Sequence, residues 1–173
     1  MKTNTSIFFL AAVIVVIGAI WVIGTQPSVT QNNAPERSRS DSARGAESLS
    51  ADESFFNFGS ISMAAGKVSH AYKIKNTGSD PIAVKKIYTS CMCTTAKLIM
   101  KEGSAGPFGM PGHAAIPTIS ERIAPNEEAS VEVVFDPAAH GPGGVGKVRR
   151  VVYIETDAQK EPFELSFEAN VTP

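Results

Sequence analysis

A chain of 173 residues that is 43% hydrophobic and 19% charged, with a formal net charge of −1, has room for one ordinary domain plus accessory segments. Near-neutral charge supplies no concentrated basic face, which excludes an electrostatic footprint for nucleic acid. The totals conceal a segregation along the chain, from apolar to polar to interleaved.

Residues 1–6 form a short tail carrying Lys2, and residues 7–23, IFFLAAVIVVIGAIWVI, hold no charge. At about 1.5 Å per residue this run spans about 26 Å as a helix, enough for a bilayer core. Trp21 is placed like an interfacial anchor, so the stretch reads as a single transmembrane signal anchor. The competing reading is a cleaved secretory signal, for which Val22-Ile23-Gly24 is an imperfect small-x-small site. Lys2 and the α-amino group on one side are balanced by Arg37 and Arg39 on the other, so the positive-inside rule does not decide orientation. A very short N-terminal tail suits a cytoplasmic N-terminus and export of the rest of the chain. Residues 24–51 are rich in Ser, Asn, Pro and Arg, too polar to offset the entropy of ordering, and read as a flexible tether.

From residue 52 to 173 apolar and polar residues interleave with a period of two, as strands require. Phe163, Leu165, Phe167, Ala169 and Val171 give the clearest case; Val131, Val133 and Phe135 precede Asp136-Pro137, and Val68, His70, Tyr72 and Ile74 precede the turn Asn76-Thr77-Gly78. Further strands are expected at 54–58, 82–88, 94–100 and 147–156. About seven short strands with Gly and Pro turns and no amphipathic helix predict an all-β fold, an Ig-like antiparallel β-sandwich, preceded by the one N-terminal transmembrane helix.

Four motifs in this region carry a family resemblance. They are F-x-F-G at Phe56 to Gly59, K-N-T-G at Lys75 to Gly78, Ser-Cys-x-Cys-Thr at Ser90 to Thr94, and a Pro-x-E turn leading into V-x-F-D-P, which ends at Pro137. Together they resemble the bacterial domain-of-unknown-function 1573 family, similar in turn to Hydin-type Ig-like domains, over essentially all of 52–173. The resemblance implies the fold and an exported location, and no established activity. A G-P-F-G-M-P-G-H segment, inside the long stretch from Lys101 to Arg122, resembles a subset of that family.

The chemistry-bearing residues are few. Cys91 and Cys93 are the only cysteines, which excludes an Ig-type inter-sheet disulfide. Two residues of extended chain span roughly 6.6 Å, near the upper limit for bridged Cα atoms, so a Cys91–Cys93 bond requires a kinked backbone; on an extended strand the two thiols would share one side and suit a soft metal ion. A loop as long as 101–122 is functional or disordered in most compact domains. Met110 and His113 fall on it, and His140 falls on a second Gly/Pro loop. Thiolates, a thioether and imidazoles are the ligand set that copper, above all Cu(I), prefers. His70 shares the parity of Val68 and Tyr72 and reads as a satisfied residue at the sandwich edge, and Glu127-Glu128 as a solvated turn. Neither G-x-S-x-G nor H-E-x-x-H nor a phosphate-binding loop occurs, so no enzyme is expected. Three functions stand open: a membrane-tethered, extracytoplasmic binding or structural module with a protein partner in the periplasm or at the cell surface; a copper-binding protein of the cell envelope using Cys91, Cys93, Met110, His113 and His140; and a thiol–disulfide protein.

Overall fold

A computed structural model describes residues 49–173. The apolar stretch 7–23 and nearly all of the polar segment 24–51 lie outside the described residues; among the described residues no helix is long and apolar enough to cross a membrane. Ten strands follow one another: β1 (Leu49–Ala51), β2 (Phe55–Ser62), β3 (Val68–Asn76), β4 (Ile82–Thr89), β5 (Thr94–Met100), β6 (Gly103–Phe108), β7 (Glu121–Ile123), β8 (Glu128–Phe135), β9 (Gly146–Thr156) and β10 (Phe163–Thr172). They form two five-stranded sheets, ordered β1-β3-β8-β5-β6 and β2-β10-β9-β4-β7. The fold is therefore all-β.

The seven expected strands are present, and the structure adds three. β1 pairs with β3, Leu49 opposite Asn76, so the sheet reaches back into residues assigned to the tether. β6 pairs with β5 across an irregular register, which turns the first part of the expected long loop into an edge strand; its sequence GSAGPF has no apolar alternation, and proline is tolerated there because an edge strand leaves one row of amides unpaired. Gly106 in that strand is at φ +112, and a Cβ there would lie 3.0 Å from Ala96 O, so the approach of β6 to β5 requires glycine. β7 closes the other sheet against β4. One pairing is not antiparallel: β2 runs parallel to β10, Phe56 beside Phe167.

Alternation fills the space between the sheets. Tyr72, Ile74, Val131, Val133 and Phe135 from one sheet face Ile82, Val84, Ile87, Val152, Ile154, Leu165 and Phe167 from the other, all buried. The Tyr72 hydroxyl donates to Ser166 O at 2.8 Å, a bond that crosses from β3 to β10. Burial first, and the Glu53 carboxylate second, raise the Tyr72 phenol well above its ordinary value. A raised folded-state pKa means that this group's contribution is complete below the unfolded value of about 10 and is lost as pH rises beyond it. Tyr72→Phe is expected to cost about 1–2 kcal/mol at neutral pH and to lessen the loss of stability above pH 10, as read by urea unfolding; an unchanged alkaline limb would show that Tyr72 does not set it.

His70 is as bland as its parity implies. Its ring stacks on Phe56 with centroids 3.7 Å apart, and its Nε2 lies 2.8 Å from a Glu53 carboxylate oxygen. Glu127 caps its own turn, accepting from the Ala124 amide at 2.8 Å.

Candidate functional site

Two connections cross from one sheet to the other at the same end of the sandwich. The first leaves β4 at Thr89 and enters β5 at Thr94; the second leaves β8 at Phe135 and enters β9 at Gly146. Because Thr94 and Phe135 are direct neighbours in the register, the two connections lie side by side. Cys91 and Cys93 are on the first and His140 is on the second.

The first connection is a tight turn and not the extended strand that would aim two thiols to one side. Thr94 N donates to Cys91 O at 3.1 Å, and Thr89 Oγ1 sits 2.9 Å from Cys91 O and 3.0 Å from Thr94 O. This folding back brings the Cys91 and Cys93 Cα atoms to 5.3 Å, and the two sulfurs are bonded as a disulfide. The kink that a C-x-C bridge demands is thus supplied by hydrogen bonds of the turn. Asp136 N donates to Cys93 O at 2.8 Å and Val151 N to Ser90 Oγ at 2.9 Å, pinning the turn to both sheets. Cys91 and Cys93 are 8% and 3% exposed, whereas Met92 between them faces solvent.

His140 Nε2 lies 3.2 Å from Cys91 Sγ. A one-turn 3₁₀ segment, Gly141–Gly144, follows it; a Cβ on Gly144 would come within 3.1 Å of the His140 Cβ, so glycine there leaves the histidine its place. The two sulfurs and a His140 ring nitrogen all lie within 4.8 Å of one another. The other sulfur has a different neighbour, Arg150 of β9, whose Nε donates to Cys93 Sγ at 3.2 Å and whose second nitrogen donates to Arg149 O at 2.8 Å. Among the described residues no carboxylate forms an ion pair with Arg150, and burial pushes its guanidinium pKa down from the ordinary value.

Of the five residues with metal-ligating chemistry, the structure gathers Cys91, Cys93 and His140. His113 is exposed on its loop and lies outside that group. Met110 is half-buried and accepts from the His113 and Ala114 amides; its neighbour Gly109 accepts from Thr89 N at 3.1 Å, so the loop is fastened next to the cysteine turn. Arg150 is the residue that motif reading overlooked.

Residues 49–107 match the family model described as a protein of unknown function, DUF1573. The stretch belongs to the DUF1573 family. The match covers the strands from β1 nearly to the end of β6, including the cysteine turn. No curated protein matches the chain in sequence. Among solved structures, the chain is similar to a protein of unknown function from Porphyromonas gingivalis W83, with 15% identity and a TM-score of 0.51 over 70% of this chain and 46% of that one. A secreted serine protease, VesC, from Vibrio cholerae gives 11% identity and a TM-score of 0.48 over 76% of this chain and 25% of that one. A PapD-like domain of human CEP192 gives 10% and 0.43 over 73% and 87%. This chain thus spans less than half of the first two, and the likeness to the first is one of fold alone.

Proposed function

We propose that this DUF1573 protein is a membrane-tethered, extracytoplasmic Ig-like binding module without catalytic activity, whose Cys91–Cys93 pair switches between disulfide and dithiol. The observation that carries the switch is that each sulfur faces a group suited to its reduced form. Arg150, half-buried and without a carboxylate partner among the described residues, has Cys93 Sγ as a neighbour; His140 has Cys91 Sγ. A guanidinium beside sulfur stabilises a thiolate and contributes nothing comparable to a neutral disulfide. The uncharged run at 7–23 supports the tether, and a disulfide is at home in an oxidising exterior compartment.

The exchange has a direction. A thiolate of an external dithiol attacks the more exposed Cys91 Sγ; the disulfide breaks, and Cys93 Sγ departs with the electron pair beside Arg150. The second thiolate of the donor attacks the donor's own sulfur in the mixed disulfide, closing the donor's disulfide and releasing Cys91 Sγ with its electron pair next to the His140 ring. Two electrons pass from the donor to the pair; the donor's thiol protons are left to solvent, Cys93 Sγ stays a thiolate beside Arg150 and Cys91 Sγ takes up one proton.

Alkylation of the full chain after incubation with a small dithiol tests this. Two thiols are expected to be labelled in the folded protein and lost again on reoxidation, with Arg150→Gln slowing reduction about tenfold. Sulfurs that react only after the domain unfolds would make the bond a structural staple instead. Membrane fractionation tests the tether: the chain is expected to sediment with membranes, and a version lacking 7–23 is expected not to.

A further inference from the structure

We infer that the reduced Cys91–Cys93 pair and His140 form a three-coordinate site for a monovalent soft cation, Cu(I), with Arg150 as its charge-balancing neighbour. The inference rests on the reversible reduction proposed above. Three observations carry it.

The first is convergence from separate parts of the chain. Cys91 Sγ, Cys93 Sγ and a His140 ring nitrogen lie within 4.8 Å of one another. Ligands at about 2.0–2.3 Å from a central ion stand roughly 3.5–4 Å apart in a trigonal arrangement. Once the sulfur–sulfur bond is cut, a modest separation of the two sulfurs is sufficient, and His140 is already placed. Its exposed ring, on the Gly/Pro connection before β9, can turn towards an ion without disturbing the core.

The second is the donor set. Two thiolates and an imidazole, with no carboxylate in the group, are soft to borderline donors; such a set selects copper in its reduced state or zinc, and disfavours magnesium, calcium and manganese.

The third, the charge count, separates those two. Two thiolates with a monovalent ion leave a net charge of −1, which the Arg150 guanidinium neutralises. With a divalent ion the thiolate pair is already neutral, and a half-buried guanidinium at 3.2 Å from Cys93 Sγ adds an uncompensated positive charge. In a partly desolvated site that difference is decisive, because Coulomb terms there are several times larger than in water. Binding releases the thiol protons and requires the pair to be reduced, so oxidation to the disulfide would expel the ion.

The test uses the full chain in detergent, reduced and kept anaerobic, with the number of free thiols counted first. Cu(I) is supplied as its complex with a chromophoric chelator, and Zn(II) is titrated in parallel. One Cu(I) per chain is expected with two free thiols, and none in the disulfide form. X-ray absorption is expected to show two sulfur and one nitrogen neighbours. His140→Ala is expected to weaken Cu(I) by about tenfold or more, and Arg150→Gln to weaken it about ten- to a hundredfold while leaving Zn(II) affinity unchanged or raised. Arg150→Lys, which restores the charge, should recover most of the loss.

Failure to take up Cu(I) with two thiols verified would overturn the site and leave the redox reading standing. Thiols that cannot be freed in the folded protein would overturn both. An Arg150→Gln variant that lost Cu(I) and Zn(II) equally would remove the charge-balancing role, since loss of mere structural support moves both ions together.

Discussion

Truncating Phe167 to alanine is expected to destabilise the domain by about 3–5 kcal/mol. Phe167 is 1% exposed. Its ring stands 5.2 Å from Phe58 on the neighbouring strand and 5.1 Å from Phe135 in the opposite sheet. Removing it takes away apolar area and two ring contacts, and leaves a cavity that β2 and β10 cannot close, because their parallel register fixes the spacing. Against a total of about 5–15 kcal/mol for a domain, such a loss removes a large share of the stability. Urea unfolding followed by far-UV circular dichroism would check it. Phe167→Leu keeps most of the volume and is expected to cost no more than about 1.5 kcal/mol; equal losses in the two variants would contradict the packing account.

The second large effect is expected at Asn76, the buried end of β3. Its Nδ2 donates to Asp80 O at 2.8 Å and to Ile123 O at 2.9 Å, and its Oδ1 accepts from Gly78 N at 2.9 Å. One amide therefore joins β3, the turn after it and β7 of the opposite sheet. Asn76→Asp keeps the shape and the acceptor but replaces two donors by a carboxylate facing two carbonyl oxygens. Losing both bonds in a fully buried place should cost on the order of 3 kcal/mol or more. Burial and the facing carbonyls raise the pKa of the new carboxyl in the folded state above its unfolded value of about 3.9. Folding thus favours the protonated acid, so the deficit is smallest below about pH 4 and grows as pH rises through the folded pKa. Unfolding midpoints of Asn76→Asp and Asn76→Ala compared at acid and neutral pH would decide: a pH-independent deficit in both would mean that the carboxyl is solvated and the amide less confined than its burial indicates.

Much of this fold can be read from spacing, and the exceptions have physical reasons. Strands such as Phe163–Thr172 are legible because each buries one face, which forces a period of two. Leu49–Ala51, Gly103–Phe108 and Glu121–Ile123 are short edge pieces held by backbone hydrogen bonds, and backbone pairing leaves no mark on side-chain pattern. The parallel β2–β10 pairing is invisible for the same reason. At the site, the need for a kink between Cys91 and Cys93 follows from chain geometry, and His140 is recognisable by residue type; that His140 and not His113 meets the cysteines depends on which connections share an end of the sandwich. Arg150 is legible too, although no motif marks it. It has the parity of Val148, Val152 and Ile154 along β9, so it is a charge on the inward face, and a charge in that position calls for a counter-ion.

The point where the chain enters the domain sets how the sulfurs are presented. Leu49 is paired with Asn76, at the end of β3 away from Val68 and Phe135, while Cys91 and Cys93 lie just beyond the Phe135 end. Eight or so residues of strand at about 3.3 Å each separate the two ends, roughly 25 Å. The described chain therefore enters the domain at one pole and carries the sulfurs at the other. A molecule that approaches the sulfur end does so without passing the point where the chain enters.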